Sequence, residues 1–234
     1  MHIHGDTRKT LVSKSKFINN VARAAPIPRM GCTSFNNPNP SFVAAGAILI
    51  DGLTTKWDTG DHSKVPGTTT EIDQCRFRNN TAIPYNPGNP ASTNYFGGGA
   101  ICVVLSKLDV RDSEFVNNAV HGAASHAYGG AMFSIDSAVS LRNSMFNGNA
   151  ATGGGAILVG DSKGNVFTSI SVVATQFIGN DGKGAGGALY ALRGGEINFL
   201  FNNVTFRDNA PGSFDGCLGK RLQQGMYSKN QTCR

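Results

Sequence analysis

The sequence predicts an all-β solenoid, a right-handed three-sided parallel β-helix of about five rungs, and three observations predict it. A glycine signal recurs as Gly46-Ala47-Ile48, Gly98-Gly99-Ala100-Ile101, Gly129-Gly130-Ala131-Met132, Gly154-Gly155-Ala156-Ile157 and Gly186-Gly187-Ala188-Leu189. A second signal, Phe-x-x-Asn, stands at Phe17/Asn20, Phe77/Asn80, Phe115/Asn118, Phe146/Asn149, Phe177/Asn180 and Phe206/Asn209. From Phe77 onward the phenylalanines are 38, 31, 31 and 29 residues apart, so the unit keeps its anchors while its loops change length.

The strands of one unit emerge by counting back from each phenylalanine. Leu108, Val139, Ile170 and Phe199 stand seven residues before it, and Val110, Leu141, Val172 and Phe201 five before it. A step of two puts these side chains on one face of a strand. Three before it stand Asp112, Asn143, Ala174 and Asn203, where Asp and Asn suit a corner. The small residue after the corner (Cys75, Ser113, Ser144, Thr175 or Val204) and the phenylalanine, again two apart, point inward from another short strand. Asn at plus three turns the chain once more. The glycine signal opens the remaining strand, with Ile48, Ile101, Met132, Ile157 and Leu189 in one column and Ile50, Val103, Ser134, Val159 and Ala191 in the next. No segment sustains the steps of three and four that an amphipathic helix needs.

Stacking such units places equivalent side chains about 4.8 Å apart. The expected structural ladders are a stack of Phe77, Phe115, Phe146, Phe177 and Phe206 and a hydrogen-bonded column of Asn80, Asn118, Asn149, Asn180 and Asn209. The double glycines are expected to permit a tight turn or positive φ. A phosphate-cradling role would need a following helix.

The chain divides into a partial first rung and N-terminal loop (1–45), the repeats (46–210) and a basic, cysteine-containing tail (211–234). Its start lacks the apolar run of a secretory signal, yet Val12, Ser15, Phe17 and Asn20 match the middle of a repeat. An upstream segment is therefore expected. No stretch approaches the roughly 18 apolar residues of a membrane-spanning helix. The net charge of +6 sits at the ends: residues 1–30 hold six Lys/Arg against one acid, residues 217–234 hold four against none, and the body is about −3. A basic groove for nucleic acid is thus not expected. Among five cysteines no zinc-like spacing occurs; Cys75 reads as a small buried filler, and Cys217 and Cys233 bracket a tail that a disulfide would close. Asn79, Asn203 and Asn230 head Asn-x-Thr sequons.

Long loops gather beside the glycine strand. On its outer face the alternation places Leu49, Cys102, Phe133, Leu158 and Tyr190, an apolar strip that reads either as a binding surface, with Leu49, Phe133, Leu158 and Tyr190 as its contacts, or as a face covered by its own loops.

The repeated GGA[I/L/M] and FxxN pair resembles the repeats of chlamydial polymorphic membrane proteins, within the broad pectin-lyase-like superfamily, over about residues 10 to 210. The resemblance implies a secreted or cell-surface passenger segment, non-enzymatic, with an adhesive, structural, or glycan- or protein-binding role. End-to-end self-association is a further expected partnership, because an uncapped end offers strand edges. No cofactor or metal is expected. The alternative is a polysaccharide lyase or glycoside hydrolase acting on an acidic polysaccharide, which needs paired carboxylates, or Ca²⁺-binding acids with a base. Its candidates are Asp58, Asp61 and His62 in the long loop, which match none of the polygalacturonase motifs. Asp136 and Asp161 share a column and are expected at solvated strand ends.

Overall fold

The structure is a computed structural model that describes residues 1–4, 9–23, 42–52, 69–83, 95–121, 127–160, 168–192, 197–212, 214–216 and 225–233. These residues are all-β: they contain no helix, and their long parallel sheets are compatible with a parallel β-helix.

The glycine strands form a seven-stranded sheet in chain order, from His2–His4 through Ile48–Asp51, Ile101–Val104, Met132–Ile135, Ile157–Gly160 and Leu189–Leu192 to Phe214–Gly216. The two strands before each Asn corner form a twelve-stranded sheet with two rows. One row runs Thr10–Ser13, Thr69–Asp73, Lys107–Arg111, Ala138–Arg142, Thr168–Val173 and Ile197–Arg207; the other runs back through Gln176–Ile178, Met145–Asn147, Glu114–Val116 and Arg76–Arg78 to Lys16–Ile18. A third sheet of Val21–Arg23, Thr81–Ile83 and Ala119–Val120 is continued by single bridges through Ala150, Asp181 and Ala210. Every pairing between these strands is parallel except the last, where Gly225–Cys233 lies antiparallel on Ile197–Arg207.

Register makes like meet like. Met132 pairs with Ile101 and Ile157, and Phe146 with Phe115 and Phe177. The phenylalanine rings from Phe17 to Phe206 stack at 4.8, 4.7, 4.5, 5.0 and 5.2 Å between centroids. Phe77, Phe115, Phe146, Phe177 and Phe206 are buried in one core with Ile48, Ile101, Met132, Ile157 and Leu189. Period-two burial along Lys107–Arg111, with only Leu108 and Val110 inside, shows why an alternating pattern of this length becomes a strand with one buried face.

Most corners carry residue types that accept a left-handed backbone, while Lys14, Gln74 and Ala174 are held there by the register of the stack. Asn19, Asn79, Asn117, Gly148, Gly179 and Asp208 occupy equivalent turns at φ 56, 54, 54, 64, 59 and 56. Lys14, Gln74, Asp112, Asn143, Ala174 and Asn203 do so at the preceding corner, at φ 47 to 53. The glycine pair divides its labour. Gly154 takes φ 63, whereas a Cβ on Gly155 would lie 2.1 Å from the carbonyl oxygen of Gly187, so only glycine lets the two repeats approach.

Beside the phenylalanine stack runs the asparagine column. Asn149 donates from its backbone N–H and from Nδ2 to Asn180 Oδ1, at 3.0 and 2.9 Å, and from Nδ2 to the Phe115 carbonyl at 3.0 Å. Its own Oδ1 accepts the backbone N–H and Nδ2 of Asn118, both at 3.0 Å. The amide thus uses both donors and both acceptor positions. The same pattern links Asn80, Asn118, Asn180 and Asn209.

Candidate functional site on the outer face of the glycine sheet

Leu49, Cys102, Phe133, Leu158 and Tyr190 are consecutive partners in the parallel register, so their side chains form one row on the face opposite Ile50, Val103 and Val159. That row is not an open strip. Cys102, Phe133 and Leu158 have no exposure and, with Val104, Leu105 and Ile135, form a second apolar core separate from the main one. Ala45, Leu49, Tyr128, Tyr190 and Leu192 pack against it and are partly buried. Of the four proposed contact residues, Leu49 and Tyr190 therefore reach the surface in part, while Phe133 and Leu158 lie beneath it.

At the end of the row the Tyr128 and Tyr190 rings stack at 5.8 Å with 28° between their planes. Gly153 makes this possible: a Cβ there would stand 2.9 Å from Tyr128 Cδ1 and 3.2 Å from Tyr190 Cδ1. Burial, and secondarily the neighbouring Tyr190, push the Tyr128 phenol up to about 12. The pair is thus a partly exposed aromatic surface on which the Tyr128 hydroxyl is neutral at physiological pH.

The acidic candidates fare differently. Asp58, Asp61 and His62 lie outside the described residues, as does Asp161. Asp136 corrects an expectation: it is fully buried rather than set at a solvated strand end. The reason is local. Asp136 takes a left-handed corner at φ 49 between buried Ile135 and Ser137. Among the described residues no group of three His, Cys, Asp or Glu could hold a metal ion.

Cys75 is free and buried, its thiol directed to the carbonyls of Val12 and Asp73 at 3.4 and 3.3 Å. Cys102 is disulfide-bonded. The expected Cys217 to Cys233 pairing lies outside what the structure describes, since Cys217 is not among the described residues and nothing of the Cys233 side chain is described. Reading residues one by one missed Val104, Ile135, Leu192 and Tyr128. The first three are two residues beyond Cys102, Phe133 and Tyr190, so extending the alternation one step reaches them. Tyr128 has no such signal, because it stands in a loop just before Gly129.

No protein-family model, no curated protein and no solved structure matches the chain.

Proposed function

We propose that this chain is a non-enzymatic extracellular or cell-surface repeat protein with an adhesive or structural role, binding a glycan or a protein on the outer face of its glycine sheet. In this reading it is a right-handed three-sided parallel β-helix of about five rungs, similar to chlamydial polymorphic membrane protein repeats. The observation that carries it is the use made of the repeated residues. The phenylalanines are spent on stacking and the asparagines on one another, with both donors and both acceptor positions of Asn149 occupied inside the fold. What the sequence repeats is scaffold, and recognition falls to what varies between repeats.

The disulfide at Cys102 supports an oxidising compartment. The partly exposed Tyr128 and Tyr190 rings supply an amphipathic surface of the kind that stacks on sugars or apolar side chains. The test is saturable binding to arrayed glycans and extracellular-matrix proteins, with a loss of tenfold or more in Tyr190→Ala. Absence of saturable binding to any of them sinks the reading. So does turnover of an acidic polysaccharide, with or without calcium, that disappears in Asp61→Ala; this outcome would install the enzyme instead.

A further inference from the structure

Two of the three Asn-x-Thr sequons head corners of the stack, at Asn79 and Asn203. Both asparagines are exposed and take left-handed backbones, at φ 54 and 53, and the threonines that complete the sequons, Thr81 and Thr205, are partly exposed. The residue next to Asn79 shows the contrast. Asn80 is buried and commits both Nδ2 hydrogens, to the Phe17 carbonyl and to Asn118 Oδ1, at 2.9 Å each. Asn79 donates from Nδ2 once, to Asn19 Oδ1 at 3.1 Å in an exposed contact, which leaves one Nδ2 hydrogen spare. The Asn203 carboxamide makes no hydrogen bond among the described residues. Asn203 also stands clear of the closing strand: Gly225–Cys233 pairs Lys229 with Phe201 and Tyr227 with Val204, so Asn202 and Asn203 form a bulge opposite a single residue.

The stack does not require these threonines. The column of Thr81 otherwise holds Val21, Ala119, Ala150, Asp181 and Ala210. That of Thr205 otherwise holds Lys16, Arg76, Glu114, Met145 and Gln176. Each column has one hydroxyl residue, and each time it stands two residues after a corner asparagine. Asn19, Asn117 and Asn143 occupy the same two corners with Val21, Ala119 and Met145 at that distance. Positive φ accounts for the asparagines but not for the threonines.

We propose that Asn79 and Asn203 carry N-linked glycans. The donor class is an oligosaccharide joined to a polyprenyl diphosphate. Nδ2 bonds to C1 of the first sugar, the C1–O bond to the diphosphate breaks, one Nδ2 proton is lost, and the lipid diphosphate leaves with the electron pair of the broken bond. The other Nδ2 hydrogen stays, so Asn79 keeps its bond to Asn19. The disulfide at Cys102 fits the oxidising compartment in which such a transfer takes place.

The two corners border the short row that carries Phe77 and Phe206, and neither borders the glycine sheet. A first-row strand separates the glycine strand from the Asn203 corner, and the third-sheet strand Thr81–Ile83 separates the Asn79 corner from the next glycine strand. Bulky, solubilising groups at these corners shield that flank and leave the outer face of the glycine sheet open. The inference stands on the sequons and their corners, and is independent of what the glycine sheet binds.

The test takes the full chain as its own cells make it, and as a eukaryotic host secretes it, and removes N-glycans enzymatically in heavy-oxygen water. Release converts a glycosylated asparagine into labelled aspartate, which mass spectrometry of the peptides locates. Label is expected at Asn79 and Asn203 in both preparations. Asn79→Gln and Asn203→Gln should each remove one glycan and keep native circular dichroism. Thr81→Ala and Thr205→Ala should do the same with the asparagines in place, while Thr81→Ser and Thr205→Ser should retain the glycans, a readout that a purely structural role for the threonines would not give. A natively folded chain unlabelled at either asparagine overturns the proposal, as does label at Asn230 alone. Label in the host preparation but not in the natural one overturns it too, because the corners then accept a glycan that the protein does not carry.

Discussion

Two buried columns treat polar atoms in opposite ways. At the Asn corner every interior amide is matched by an identical amide one repeat above and below, and Asn149 makes five hydrogen bonds through its side chain and backbone N–H. On the inner face of the glycine sheet, Ser134 stands alone between Val103 and Val159, and its buried Oγ has no hydrogen-bond partner. A third column shows that residue type is not the cause. Ser144 Oγ donates to the Arg142 carbonyl at 2.8 Å and accepts the Ser113 N–H at 3.3 Å, because the chain turns there and brings backbone groups within its reach. In a stacked fold, a buried polar group is stabilising when a corner or an identical neighbour supplies its partners and costly when neither does.

The largest expected effect is on the apolar side of this contrast. Phe146→Ala opens a cavity between Phe115 and Phe177 and should cost about 3–5 kcal/mol in urea unfolding. An unchanged midpoint would contradict the ring stack. Asn149→Ala comes next, at about 3 kcal/mol, because it strands the Asn118 N–H and Nδ2 donors and the Phe115 carbonyl in a buried site. The sharper measurement sets it beside Asn209→Ala at the column's end, where three side-chain bonds are lost instead of four and the cost should be lower by about 1 kcal/mol. Equal costs would mean that the column is not a cooperative ladder. Ser134→Ala should have the opposite sign: removing an unpaired hydroxyl should stabilise by about 1 kcal/mol and raise the melting temperature by a few degrees. A lower melting temperature would show that the hydroxyl has a partner in solution.

The same contrast explains what was legible in the sequence. Columns that repeat announce themselves, so Phe77 to Phe206 and Asn80 to Asn209 can be aligned by counting, and Asp112 and Asn143 mark a corner by residue type. Features made by backbone alone do not. His2–His4 joins the glycine sheet without any glycine signal, since strand pairing asks only for backbone groups in register. The closing strand Gly225–Cys233 belongs to no repeat and runs the other way, so no period could reveal it. Asp136 was misplaced because its charge suggested water, whereas its position at a corner flanked by Ile135 and Ser137 decided its burial. On the candidate site, the row from Leu49 to Tyr190 was legible from alternation, but its covering was not, because Tyr128 comes from a loop of variable length.

The smallest effect probes that covered face through pH. Tyr128 carries a phenol raised to about 12, first by burial and then by Tyr190, against an ordinary value of about 10. A folded-state value above the unfolded one means that the protonated phenol is favoured by folding. Its contribution is complete below about pH 10, and it drains away as pH rises through about 12, because the unfolded chain ionises first. The unaltered chain should therefore lose stability between these values, and Tyr128→Phe should lose less over the same range, as read from urea midpoints at about pH 9 and pH 11. The Asn column contains no group that titrates there, so Asn149→Ala should leave this alkaline slope as it is. If the part of the phenolate absorbance that Tyr128→Phe removes titrates near the ordinary tyrosine value, the Tyr128 ring lies in water and the covered aromatic pair is removed from the outer face of the glycine sheet.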